Sequence, residues 1–362
     1  MSKLAVPPRK PLGELVAFLD HKRRPVRETE RNPGPYPYFG ANGQQGSIDG
    51  YLFDDQLVLL AEDGGHFEQP NRGIAYRVSG KVWVNNHAHV LRPGPEIDWA
   101  FLARMLENMD VRPFVSGTTR GKLTKGQAEK IPIPVPPLPE QRRIAAILDQ
   151  ADALRAKRRQ TLTQLDEMAR AIFVEMFGDH ATNPRKLDVV RLDQVTDCLD
   201  YQRRPVKASD RAEGQIPYYG ANGQQGWIDR PLFDEALVLV AEDGGHFEEP
   251  ERGVAYRIDG PAWVNNHAHI LRARKELLDT EYLHRALRHY NFAPYISGTT
   301  RAKLTQGQLN SAKVMLPPLP DQRRFSERIE AVEGLRQLGT TSALDLDNLF
   351  TSLQHRAFRG EL

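Results

Sequence analysis

The chain has a single cysteine, Cys198, in 362 residues. An internal disulfide and a thiolate zinc site are therefore excluded. No apolar run approaches the ~20 residues that span a bilayer, and MSKLAVPPRK lacks the apolar stretch of a secretory leader. A reducing cytoplasm is the expected compartment, with no membrane partner. Net charge is only +2, from 49 Lys and Arg against 47 Asp and Glu. Bulk attraction to polyanions is thus excluded, and any nucleic-acid binding has to use local clusters, shape and base edges. A GxxxxGK[ST] phosphate cradle is missing. What remains is an ordinary globular composition, 40% hydrophobic and 27% charged, with length enough for two or more cores.

The second half of the chain repeats the first. PYFGANGQQGSID (Pro37 to Asp49) returns as PYYGANGQQGWID (Pro217 to Asp229). LVLLAEDGGHFE at Leu57 returns at Leu237, WVNNHAHVLR at Trp83 returns at Trp263, and HKRRPV at His21 has an echo in YQRRPV at Tyr201. About 40 of the 55 positions from Tyr38 to Arg92 are identical 180 residues later. A period this long marks a duplicated domain, since solenoid units run about 20–50 residues. Each copy ends in one junction, SGTTRGKLTKGQAEKIPIPVPPLPEQRRI from Ser116 and SGTTRAKLTQGQLNSAKVMLPPLPDQRRF from Ser297.

Each copy is expected to mix helix and strand. Leu57–Ala61 is a short continuous apolar run, the mark of a strand buried on both faces. Ile74, Tyr76 and Val78 alternate with smaller or polar residues, as in a half-buried strand. Asp98 caps a helix with Trp99, Leu102, Leu106 and Met109 on its apolar face; the counterpart uses Leu283, Ala286, Leu287 and Tyr290. Thr124 with Gln127, and Thr305 with Gln308, have capping-box spacing. The prolines then stop each globular unit.

Beyond Pro139 there is no Gly or Pro from Glu140 to Phe177. Ile144, Leu148, Ala151, Leu162, Leu165, Ala169, Ile172 and Met176 step by three and four, a coiled-coil seam that Arg155 and Arg158 interrupt. About 38 residues at ~1.5 Å each predict a rod of about 57 Å. The C-terminal segment has a weaker seam of Phe325, Val332, Leu335, Leu346, Leu349 and Leu353, with a break expected at Gly334 and Gly339. Neither seam can bury itself alone, so the two helices are expected to pack antiparallel. The fold class is α+β: two similar globular heads separated by two long antiparallel helices, related by a pseudo-two-fold axis. The expected boundaries are 1–138 and 185–318 for the heads, 139–178 and 319–362 for the helices. This geometry suits a gapped, inverted-repeat ligand, and duplex DNA is the obvious one.

The layout closely resembles the specificity subunit of type I restriction-modification enzymes over essentially the whole chain. The two SGTTR…L…PPLP(E/D)QRR junctions, AIFVEMFGD at Ala171–Asp179 and LFTSLQHRAFRGEL at Leu349–Leu362 carry the resemblance. It implies that each head is a target recognition domain reading half of a split site in double-stranded DNA. It also implies that the helices set the gap and dock two methyltransferase subunits, and that restriction subunits join them. The resemblance further implies no cofactor in this chain, with S-adenosylmethionine serving the partner methyltransferase at adenine N6 and ATP and Mg serving the restriction subunit. Consistent with borrowed catalysis, no Asn-Pro-Pro-Tyr-type motif is present, since Pro136-Pro137 and Pro317-Pro318 are flanked by other residues. The usual family member has dissimilar heads. The near-identity here implies half-sites that are the same or nearly so, in inverted orientation, unless differences such as Ser47 against Trp227 distinguish a base.

The first candidates for DNA contact are Thr118, Thr119, Arg120 and Lys122, with Thr299, Thr300, Arg301 and Lys303. Hydroxyls and cations on a Gly-led loop suit phosphates, and Arg also forks onto guanine. Next come Tyr38, Asn42, Gln44 and Gln45, with Tyr218, Asn222, Gln224 and Gln225, because Asn and Gln amides pair with adenine N6 and N7. Arg23 and Arg24, with Arg203 and Arg204, are generic phosphate candidates. His66, Arg72, His246 and Arg252 are weaker ones. The Asn85–His89 cluster, with Glu62, Asp63 and His66, has metal-ligand chemistry. It supplies the alternative of a duplicated, cupin-like metal enzyme, although no metal site is assigned. An alternative within the class is a specificity subunit for a fused nuclease-methyltransferase.

Overall fold

The computed structural model describes residues 7–69, 72–117, 121–180, 182–296 and 302–362. Contacts divide the chain into two compact units, Met1–Arg159 with Thr341–Leu362, and Gln160–Thr340. Each unit holds one head together with parts of the two long helices.

In the first head, one four-stranded antiparallel sheet orders Val16–Phe18, Ala88–Pro93, Leu57–Ala61 and Ala75–Val78. A second sheet orders Gly43–Ile48, Tyr36–Gly40, Lys81–Val84 and Phe53–Asp54, with its middle pair parallel. The strand Leu57–Ala61 is buried at every residue, as its apolar run predicts. Side chains on a strand alternate between faces. Accordingly Leu57 and Leu59 enter a core between the sheets with Phe53, Val82 and Val90. Val58 and Leu60 enter a core beneath the helices with Phe101, Leu106, Ile144 and Leu148. The second head repeats this partition, with Leu237 and Leu239 on one side and Val238 and Val240 on the other.

Asp98 caps the helix Trp99–Glu107 by accepting from the Ala100 and Phe101 amides, and Asp279 does the same for Thr280–Arg288. The capping box forms only in the second copy. Thr305 and Gln308 exchange both bonds, whereas the shorter helix Lys125–Ala128 has no side-chain cap from Thr124.

The long helices run Leu138–Phe177 and Leu319–Arg359. The first starts before Glu140 because Pro139 falls in the first turn, where its missing N–H costs no hydrogen bond. The glutamine of each PPLP(E/D)QRR word locks helix to head. Gln141 is fully buried, accepts from the Asp98 amide (2.7 Å) and donates to the carbonyls of Glu96 (2.9 Å) and Pro136 (2.8 Å). Gln322 repeats this with Asp279 (2.8 Å), Leu277 (3.1 Å) and Pro317 (2.8 Å). Inside each unit the helix segments are antiparallel. Arg143 reaches the Leu362 carbonyl and Arg155 reaches Asp347 in the first; Asp166 meets Arg336 and Glu175 meets Arg328 in the second.

Two expectations for the C-terminal helix are corrected. It does not break: it is continuous through Gly334 and Gly339. A Cβ at Gly339 would lie 2.9 Å from Leu162 Cδ2, so this glycine admits a close helix approach. The seam is also rotated. Leu335 and Leu349 are exposed, and Phe350, Gln354 and Ala357 are buried in their stead. Phe350 lies under the Arg155 guanidinium (4.3 Å to the ring centre), which fixes the rotation.

Candidate nucleic-acid interface

The words that recur in both halves meet at one loop cluster on each head. In the first, the hairpin tip is tied to the 62–66 loop by Asn42 Nδ2, which donates to the Gly64 carbonyl (2.9 Å). Asn85 donates to Gln45 Oε1 (3.1 Å) and accepts from the His87 amide (2.8 Å). His87 in turn bonds Asp63 (2.6 Å). The end of the junction loop is held by Lys122 on Glu62 (3.1 Å) and by the Leu123 amide on the Glu62 carbonyl (2.7 Å). The second head reproduces these contacts at 2.9, 3.2, 2.8, 2.7, 3.0 and 2.8 Å.

Beneath the loops sits a buried charged network. His89 is 1% exposed and faces Asp20 Oδ2 through Nδ1 (2.6 Å) and the Leu123 carbonyl through Nε2 (2.8 Å). A carbonyl and a carboxylate only accept, so both ring nitrogens donate. Arg23 bonds Glu62 (2.7 Å) and the Ala88 carbonyl (2.7 Å). Burial pushes the Asp20 carboxyl up, but His89, the Val90 amide and Arg23 outweigh it and hold it below the usual range. Glu62 is likewise raised by burial and lowered on balance by Arg23, Lys122 and His89. Asp200 and Glu242 behave the same way.

This geometry redistributes the expected contact residues. Thr118, Thr119, Arg120, Thr299, Thr300 and Arg301 lie outside the described residues. Lys122 and Lys303 are half-exposed at the loop ends, each paired with a glutamate. Tyr38 and Tyr218 are corrected from surface to core: each is 1% exposed, and its hydroxyl bonds the backbone of Val26 or Val206. Arg23 and Arg203 are corrected from phosphate candidates to internal ties, because their guanidiniums are engaged with Glu62 and Glu242. Arg24 and Arg204 are exposed, and among the described residues their side chains have no ion pair. Asn42, Gln44 and Gln45 line the exposed rim with Asn222, Gln224 and Gln225. Each uses part of its amide internally.

His89 has no lone pair left for a metal, although Asp20, Glu62 and His89 offer atoms within 4.8 Å of one another. In the second head Cys198, Asp200 and His269 are similarly close. There burial and Asp200 push the Cys198 thiol up to about 12, which keeps it protonated. These residues fit a hydrogen-bonded support better than a metal centre.

Two residues in each head escaped the sequence reading. Arg31 lies over the Tyr38 ring (3.8 Å) and donates to the Gln45 carbonyl (2.9 Å), clamping the hairpin; Arg211 does so in the second head. Asp20 and Asp200 anchor the buried histidines. Their signal was identity at the 180-residue offset inside a segment where most neighbours had diverged.

A protein-family model for the type I restriction modification DNA specificity domain matches twice, over residues 9–165 and 184–342. The chain belongs to this family. Specificity subunits supply DNA recognition to their enzyme and are not catalytic, and this chain takes that role alongside other subunits. It is 30% identical over 351 residues to a Haemophilus influenzae chain named as a type I restriction enzyme specificity subunit, S.HindORF215P, covering 90% of this chain and 87% of that one. It is 21% identical to the MjaVIII specificity subunit of Methanocaldococcus jannaschii, covering 90% and 86%. The fold matches the S subunit of M. genitalium with a TM-score of 0.66 at 16% identity, over 97% of this chain and 95% of that one. A duplicated metal enzyme is not favoured.

Proposed function

We propose that each head reads one half of a split site in duplex DNA, and that the two half-sites are near-identical and inverted. The observation that carries this is the loop cluster, built twice from the same residues with nearly the same distances. The proposed contacts are the junction loops (Thr118, Thr119, Arg120 and Lys122; Thr299, Thr300, Arg301 and Lys303), with Arg24, Arg204 and the amides of Asn42, Gln44, Gln45, Asn222, Gln224 and Gln225. The helices from 139–178 and 319–362 dock two methyltransferase subunits, which use S-adenosylmethionine to methylate adenine. Restriction subunits with ATP and Mg complete the enzyme in the cytoplasm. Single-molecule sequencing of adenine methylation tests this in a host expressing the chain with its methyltransferase, against the methyltransferase alone. A split inverted motif is expected only with both. Two unrelated half-sites would remove the symmetry, and no motif despite co-purification would remove the reading.

A further inference from the structure

The two hairpins at Pro37–Asp49 and Pro217–Asp229 differ at only two positions, Phe39/Tyr219 and Ser47/Trp227. The first difference is internal: Phe39 and Tyr219 lean alike on Tyr76 and Tyr256, at 5.8 and 5.9 Å. The second is exposed. Ser47 stands opposite Pro37 and Trp227 opposite Pro217, at the base of the hairpin whose amides form the rim.

The surroundings differ as well. In the first head Tyr51 rests on Tyr36 (5.2 Å) with Lys81 over its ring (4.8 Å), so aromatic and cation satisfy one another. The second head has Ile216, Pro231 and Pro261 at those positions and cannot build that stack. It carries instead Trp227, 55% exposed. Among the described residues this indole has no ring partner, no cation over it and no hydrogen bond. Arg230 replaces Gly50 and lies 5.9 Å from the Trp263 ring, whose Nε1 donates to the carbonyl of the exposed Arg204. Within four residues, Trp227 and Arg230 thus add an aromatic and a cation that the first head lacks, the residue types that suit a nucleic acid. On duplex DNA a flat apolar face suits a thymine methyl or a deoxyribose, and Arg suits phosphate or a guanine edge.

We infer that Trp227 and Arg230 form a specificity element of the second head alone, which makes the two half-sites unequal at one or two base pairs. This rests on the split-site reading above. The test is the methylated motif produced by the full chain with its methyltransferase, compared with Trp227→Ser/Arg230→Gly and with Ser47→Trp/Gly50→Arg. The first variant should relax preference roughly tenfold at one position of one half, leaving the other half unchanged. The second adds an indole at the exposed Ser47 and a side chain at the half-buried Gly50, where a Cβ would lie 3.3 Å from the Trp83 ring, and should create a preference in the opposite half. Wild-type motifs from both variants, or a wild-type site with identical halves, would overturn the inference and leave the split-site reading standing. A wild-type chain that co-purifies with the methyltransferase but gives no split motif would overturn both.

Discussion

The two heads agree where they hold their loops and differ where they rest on the long helices. Both bury one arginine at the helix crevice, Arg104 and Arg285. Arg104 takes its carboxylates from Asp149 (2.7 Å) and Asp152 (3.1 Å) of the central helix, and from Glu107 (2.8 Å). Arg285 keeps the equivalent of Asp152 in Glu333 (2.5 Å), but takes its second acid from its own helix, Glu281 (2.6 Å), where the first head has Ala100. A buried cation must be compensated, and the source of the acid is free to change. The loop cluster had no such freedom, because each of its groups serves two or three segments at once.

The largest expected effect tests what the heads share. Gln141→Leu leaves an amide N–H and two carbonyls buried and unpaired, at a cost of about 3 kcal/mol or more. Gln322→Leu should cost the same. Hydrogen exchange at the strands Leu57–Ala61 and Leu237–Ala241 reports each head separately; a loss in one head only would break the equivalence.

The next test concerns what the heads do not share. Glu281→Gln should destabilise the second head by roughly 2–4 kcal/mol by leaving Arg285 under-compensated. Asp149→Asn should cost less, about 1–2 kcal/mol, because Asp149 is one-third exposed and screened. Acid sharpens the contrast. Burial raises the Glu281 carboxyl, but His284 and Arg285 more than reverse this and bring it to about 2. Arg285 is the lasting cation, since burial pushes His284 itself down. A depressed carboxyl stabilises the fold above its ordinary titration range and loses that contribution as pH falls toward 2. Stability of the second head should therefore fall between about pH 4.5 and 2, and the Glu281→Gln variant should lose less over that window.

Lys122→Ala should weaken DNA binding by the assembled enzyme for all sequences alike and lower the log–log salt slope by about one. An unchanged slope would place Lys122 off the phosphates. The smallest effect is at the helix glycines. Gly334 faces open space, so Gly334→Ala should gain up to ~1 kcal/mol from helix propensity. Gly339→Ala should gain less, because its new methyl meets Leu162. Equal gains in thermal unfolding would show that Leu162 yields freely.

Legibility in the sequence followed periodicity. The duplication, the buried strand, the Asp98 cap and the central long helix were readable because each leaves a repeated or periodic trace. The residues that misled were polar groups facing inward. Tyr38 and Arg23 look like surface residues in any local window, and only longer-range partners hold them inside. The rotated seam has the same origin: Phe350 and Arg155 are 195 residues apart, and no local repeat announces their contact.

The strand Leu57–Ala61 has one more consequence. Leu57 and Leu59 belong to the core between the sheets, and Val58, Leu60 and Ala61 to the core against the helices, so one strand divides two cores within each head. A change against the helices, such as a new acid beneath Arg285, need not reach the core between the sheets. After duplication each copy was free to renegotiate its mooring to the helices while the contacts of its loop cluster were kept.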